Sequence, residues 1–183
     1  MILPIYTLGS SVLRKVAEPI DKSYNKLSEL IENMFETMYY ADGVGLAGPQ
    51  IGLAIRLFTI DLAPFKEDDL ELSTFKIAMI NPEILETSED VVSYEEGCLS
   101  IPGINESVSR SESIKIKYLD VDFVEHIEEF TGFKARVIQH EYDHLEGNLF
   151  TDRVSPIRRQ LLKSKLTKIA KGKMTTKYKT KSA

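Results

Sequence analysis

The 183-residue sequence has a single cysteine, Cys98, so no disulfide can form within the chain and the composition suits a reducing compartment. Long apolar runs are missing too. The longest uncharged stretch, residues 43 to 55, is 13 residues interrupted by glycines and Pro49. A bilayer span needs roughly 20 apolar residues. The opening MILPIYTLGS has no basic segment ahead of an apolar one and does not read as a secretion signal. We therefore expect a cytoplasmic protein without a membrane span. No internal repeat is present. After Asp152 there is no acidic residue, while residues 156–183 carry ten Lys or Arg. The chain before them has 13 basic against 28 acidic residues, so a body of −15 precedes a segment of +10.

What is present is an ordinary globular composition, 43% hydrophobic and 28% charged, at a length suited to one domain. We expect one metallohydrolase domain over residues 1–170 and a disordered basic tail over 171–183. Apolar residues recur at three- and four-residue steps from Leu27 to Met38, predicting a helix over 23–41 with Ser23 as its cap. The glycine-rich DGVGLAGPQIG forces a loop or irregular strand. Strands are predicted at 54–60, 75–80, 91–96, 113–121 and 125–130. A helix over 131–146 follows, with Thr131 as cap and Gly147 as stop, and a last helix starts at Ser155 with Pro156 in its first turn. Strands grouped together and followed by helices give an α+β class of short antiparallel sheets around a helix.

The stretch QHEYDHLEG, residues 139–147, places His140 and His144 on one helical face with Glu141 beside them. That is the spacing of two imidazoles on one metal ion. A catalytic centre usually has three protein ligands and an open position. Glu146 lies too close on the same helix to be the third. A downstream residue or Cys98 remains, although a lone cysteine is more often a small buried hydrophobe. His126, among acidic neighbours, reads as a surface residue.

Three stretches in order, GVGLAGPQ (43–50), EGCLS (96–100) and QHEYDHLEG, resemble the signature motifs of the peptide deformylase family, and the likeness extends from residue 2 to about 160. The resemblance implies removal of the formyl group from the N-terminal formyl-methionine of nascent peptides. It implies one divalent metal on Cys98, His140 and His144, most often Fe(II), with Ni, Co or Zn as substitutes. It also places Gln50 and the Leu99 backbone N–H at the oxyanion. Bare backbone at Gly43, Gly45 and Gly97 would let an extended peptide pair as an added strand, at Val44 and Gly97, and the resemblance places Tyr94, Phe133, Arg136 and Val137, with Val44 and His140, around the methionine side chain. Gly48 stands where the family commonly has alanine, a lost methyl that would loosen the strand. Asn105 lies near where many members have an arginine.

From the residues themselves, Glu141, next to a ligand but not one, suits the proton transfers of hydrolysis. Gln139 and Asp143 are candidates to orient the histidines, and a Glu96–Arg110 ion pair would brace the cysteine loop. The +10 segment suits a phosphate surface such as ribosomal RNA, through Arg158, Arg159, Lys163, Lys165 and Lys168, with Leu161, Leu162 and Leu166 packed on the body. A metalloendopeptidase, a structural zinc protein and a Cys98 nucleophile are the rival readings.

Overall fold

A computed structural model describes residues 1–65 and 71–182. Its order is β1 (Ile5–Tyr6), α1 (Leu27–Tyr40), β2 (Gly45–Ala47), β3 (Leu57–Asp61), β4 (Lys76–Thr87), β5 (Val91–Cys98), β6 (Ile101–Ser111), β7 (Ser113–Leu119), β8 (Glu125–Thr131), α2 (Gly132–Leu145), α3 (Pro156–Ala170) and β9 (Thr180–Lys181). The fold is α+β. Strands β2-β3-β4-β7-β8 form an antiparallel five-stranded sheet, β5-β6 a hairpin, and β1-β9 a parallel pair.

Alternation along β3 explains how the sheet sits. Phe58 and Ile60 join a core with Ala135, Ile138 and Leu145 of α2. Leu57 on the opposite face joins Met34 and Met38 of α1. Both faces are covered, so every residue of β3 is buried. Each fully buried side chain of this kind contributes roughly 1.5–3 kcal/mol relative to exposure. A third core, with Ile104, Val108, Leu149 and Phe150, joins β6 to Leu162 and Ile169 of α3. Helix α2 thus lies between the sheet and the hairpin.

Several elements depart from expectation, each for a local reason. Helix α1 begins at Leu27, not at Ser23, whose N–H and hydroxyl both donate to Asp21 Oδ1 in a preceding turn. Strand β4 runs on through Pro82 because Asn81, at φ 51°, starts an irregularity in its pairing with β7. No strand is predicted over 101–111, yet β6 is there. On α3, Leu162 is buried and Leu166 half-buried, but Leu161 is exposed. The tail departs most from expectation, because it folds back. Ile5 N–H donates to Lys179 O, Thr7 N–H donates to Lys181 O, and Tyr178 lies half-buried against the α1 core. Ala183 lies outside the described residues.

Candidate metal centre and active-site cleft

Helix α2 starts after Thr131, in extended conformation, with Gly132 at φ 57°, and stops where Gly147 takes φ 72°. Between these ends Ala135, Ile138 and Leu145 face the sheet core. Arg136, His140, Asp143 and His144, at helical spacing, meet the β5-β6 hairpin instead. Cys98 ends β5 at a register shift where Cys98 pairs with Ile101, so the hairpin turns there and its thiol meets the helix. One ligand atom each from Cys98, His140 and His144 lies within 4.8 Å of the others. Cys98 Sγ and His144 Nε2 are 3.4 Å apart, about the edge of a coordination tetrahedron with bonds of about 2.0–2.3 Å. A thiolate with two imidazoles suits Zn, Fe, Ni or Co.

Charge in this cluster is set by burial and neighbours. Burial pushes the Cys98 thiol up, but the His144 charge and hydrogen bonds from both imidazoles outweigh it and bring it down to about 5. The thiolate is the form that binds metal. Burial alone would lower His140, while hydrogen bonds to Cys98 and Glu96 raise it to about 10. His140 Nδ1 lies 3.0 Å from Glu96 Oε2, which fixes the ring and leaves its other nitrogen toward the thiol. Glu96 is therefore the partner, not Gln139 or Asp143. Gln139 donates to Ser111 O and Ala135 O, while Asp143 accepts from Arg110 and Arg153. The expected Glu96–Arg110 pair is present and bidentate, at 2.6 and 2.9 Å. Arg110 also donates to Asp143 at 2.8 Å, so one buried guanidinium ties the hairpin to α2. Burial opposes ionisation of Glu96, but its hydrogen bonds from His140 and Arg110 hold the carboxyl well below the usual carboxylate range.

Glu141 is buried, and its Oε2 makes no hydrogen bond among the described residues. Burial raises its carboxyl to about 7, with both histidine charges pulling the other way. An unpartnered buried carboxylate oxygen beside three ligand atoms fits a group that handles a proton next to an ion. Gly45 makes room for it. A Cβ there would lie 2.2 Å from Glu141 Oε1. Gln50, also buried, accepts from Ala47 N–H through Oε1, while Nε2 donates to Ser100 Oγ and reaches Cys98 Sγ at 3.5 Å. Its amide thus faces the thiol side of the cluster.

These groups open into a cleft of about 540 Å³. Val44, Gly45, Gly97, Leu99, Phe133, Arg136 and Val137 line it. Tyr94 does not. It is exposed and lines an adjoining hollow with Phe65 and Phe133, over the Arg136 guanidinium. Arg136 is itself held by Glu96, Val108 O and Val92 O. The structure adds Phe65, Asn105 and the tail residues Thr175, Thr176 and Tyr178 to the lining. No signal in the sequence placed the tail here. Gly48 is no gap, because a Cβ would meet Ile55 O at 2.8 Å and Leu53 O at 3.0 Å, so the neighbouring backbone already fills the space of the missing methyl.

Comparison with known proteins agrees with this geometry. Residues 2–160 match the polypeptide deformylase family profile. A peptide deformylase of Christiangramia forsetii is 51% identical over 98% of this chain and 95% of its own. One from Salinibacter ruber is 46% identical over 97% and 93%. The crystal structure of a peptide deformylase from Thermus thermophilus superposes with a TM-score of 0.83 at 38% identity, covering 94% of this chain and 99% of that one. On a match that spans most of its length, this chain belongs to the peptide deformylase family.

Proposed function

We propose that the chain removes the formyl group from the N-terminal formyl-methionine of newly made polypeptides, using a divalent ion held by Cys98, His140 and His144. The observation that carries this reading is the unpartnered Glu141 oxygen beside that ligand cluster, at the floor of a cleft with backbone on two sides. The ion, which we assign as Fe(II) with Ni, Co or Zn able to replace it, supplies Lewis acidity that lowers the pKa of a water toward about 7.

The chain's own groups do the rest. Ionised Glu141 takes a proton from the attacking water and returns it to the departing amine. Gln50 Nε2 and the Leu99 N–H face the carbonyl oxygen as charge develops, and each such donor typically contributes about 10²- to 10³-fold in rate. Glu96 keeps His140 in one tautomer throughout. Val44 and Gly97 pair with the peptide as an added strand, and Phe133 and Val137 receive the methionine side chain. Asn105 lies against Gly97, where a Cβ would meet its Oδ1 at 2.5 Å, so the hairpin presents a neutral amide at this position.

Formate release from formyl-Met-Ala-Ser, before and after anaerobic chelation, tests the reaction. Release that chelation abolishes and Fe(II) restores supports it, and release that survives chelation refutes it. Metal analysis adds a second arm: Cys98→Ala loses the ion with the activity, whereas a metal-replete, active Cys98→Ala protein removes the ligand assignment.

We also infer that α3 docks on ribosomal RNA. Lys163, Lys165 and Lys168 pair with no acidic side chain among the described residues. Arg158 and Arg159 instead pair with Glu106 and Asp152.

A further inference from the structure

The C-terminal segment contributes to the cleft although it lies beyond residues 2–160, the part matched by the family profile. It crosses from one wall to the other. Lys177 pairs with Asp42, just ahead of the Gly43–Gly45 backbone. Tyr178 OH donates to Leu99 O at 2.8 Å on the hairpin side. Met174 Cε lies 3.8 Å from where a Cβ on Gly103 would stand. Thr176 Oγ1 donates to Tyr178 O, and the β1-β9 pair anchors the end of the segment.

Burial along the first motif fixes which way a bound peptide leaves. Gly45 touches Glu141 and marks the reacting end. From Gly45 through Gln50 the chain is buried, so that direction is closed. Toward Gly43 and Asp42 it becomes exposed, and there Leu99 closes on Gly43, where a Cβ would lie 2.7 Å from its Cδ1. A peptide whose formyl-methionine pairs beside Val44 must pass this point with its second and third residues.

We propose that Thr175, Thr176 and Tyr178 form the outer wall of the substrate cleft, meeting the residues that follow formyl-methionine. The wall makes the enzyme favour a peptide over a lone formyl-amino acid. Its chemistry, two hydroxyls and a phenol on a backbone-anchored strap, suits an extended chain with small or polar side chains at those positions. The inference rests on the deformylase reading and on the peptide lying between Val44 and Gly97.

The test compares formyl-Met-Ala-Ser with formyl-Met on the metal-loaded enzyme, reading the ratio of their kcat/KM values. Removing residues 173–183 should lower this ratio about five- to tenfold, the loss of a partly buried side-chain contact, with most of the change in KM for the tripeptide. Tyr178→Phe keeps the ring and loses only the bond to Leu99, so the ratio should hold while kcat falls about three- to tenfold on both substrates. Thr175→Trp, on an exposed residue, narrows the cleft without touching the β1-β9 pair and should shift the ratio even if the truncated chain does not fold. An unchanged ratio in Thr175→Trp and in a folded truncation overturns the wall. A wild-type protein that releases formate from neither substrate overturns the deformylase reading itself.

Discussion

Two parts of this molecule carry dense charge and use it in opposite ways. Around α2, the Arg110 side chain is 1% exposed against Glu96 at 6% and Asp143 at 7%. Along α3, Arg158 and Arg159 are 57% and 52% exposed, and the lysines between them and Ala170 face water. The pairs have similar lengths, yet their meaning differs. A buried guanidinium between carboxylates has been taken out of water and is held by its geometry, so removing it leaves uncompensated charge. The Arg159–Asp152 pair, 52% and 24% exposed, is screened by solvent and contributes little to stability. The first set fixes a histidine, and the second leaves a surface free to meet a partner.

The largest effect that sharpens this contrast falls on the buried acid outside the ion pairs. Glu141→Ala should lower turnover by about 10²- to 10⁴-fold, the usual worth of a proton-transfer group. The ion should stay bound, and steady-state kinetics beside metal analysis reads both. Next, Arg110→Met removes three charge-assisted bonds from Glu96 and Asp143, which keep Arg136, His140 and Arg153, and should cost about 3 kcal/mol in denaturant unfolding. A change below about 1 kcal/mol would show that the network is not structural.

The pH dependence of stability follows from the same residues. The carboxyls of Glu96 and Asp143 are both lowered, against burial, by hydrogen bonds and charge from His140, Arg110 and Arg153. Depressed carboxyls add stability that is complete above their unfolded values of about 4 and is lost as pH falls below them. Wild-type unfolding midpoints should therefore drop below about pH 4, and those of Arg110→Met should drop less. Parallel curves for the two proteins would count against the assignment.

The smallest effects belong to α3. Arg158→Ala should cost about 1–2 kcal/mol in denaturant unfolding, because the Glu106 carboxylate, 7% exposed, loses its bidentate partner. Neutralising Lys163, Lys165 and Lys168 should leave turnover of a free formyl-peptide unchanged. It should also flatten the salt dependence of ribosome sedimentation by roughly one unit of slope per phosphate contact. Unaltered sedimentation across a salt series would reduce this face to solvated surface.

The contrast also explains what the sequence could and could not show. Helices α1, α2 and α3 were legible because their apolar residues recur with helical spacing, and the His140–His144 pair was legible for the same reason. Strand β6 was hidden by its buried polar residues. Its inward face reads Ile104, Glu106, Val108, Arg110, so the apolar alternation breaks wherever a charge is buried. Glu96 was read as a brace for the cysteine loop and not as the partner of His140, since 44 residues separate them and only the fold brings them together. Tyr94, on β5, lines a hollow that adjoins the cleft and shares Phe133 and Arg136 with it. The tail carries no hydrophobic period at all. Its order comes from two backbone rungs and a phenol, which composition does not encode.

Those two rungs have a consequence for dynamics. Tyr6 and Lys181 stand 175 residues apart, so the β1-β9 ladder closes nearly the whole chain into a loop for the gain of a two-residue pairing. Contacts of such sequence separation reward their closure entropy late, and a ladder this short opens at low free energy. Amides of Ile5 and Thr7 should exchange with solvent long before those of β3 or α2. The end of the cleft can then fray and reclose while the ligand-bearing helix keeps its place, giving the molecule a soft rim around a rigid centre.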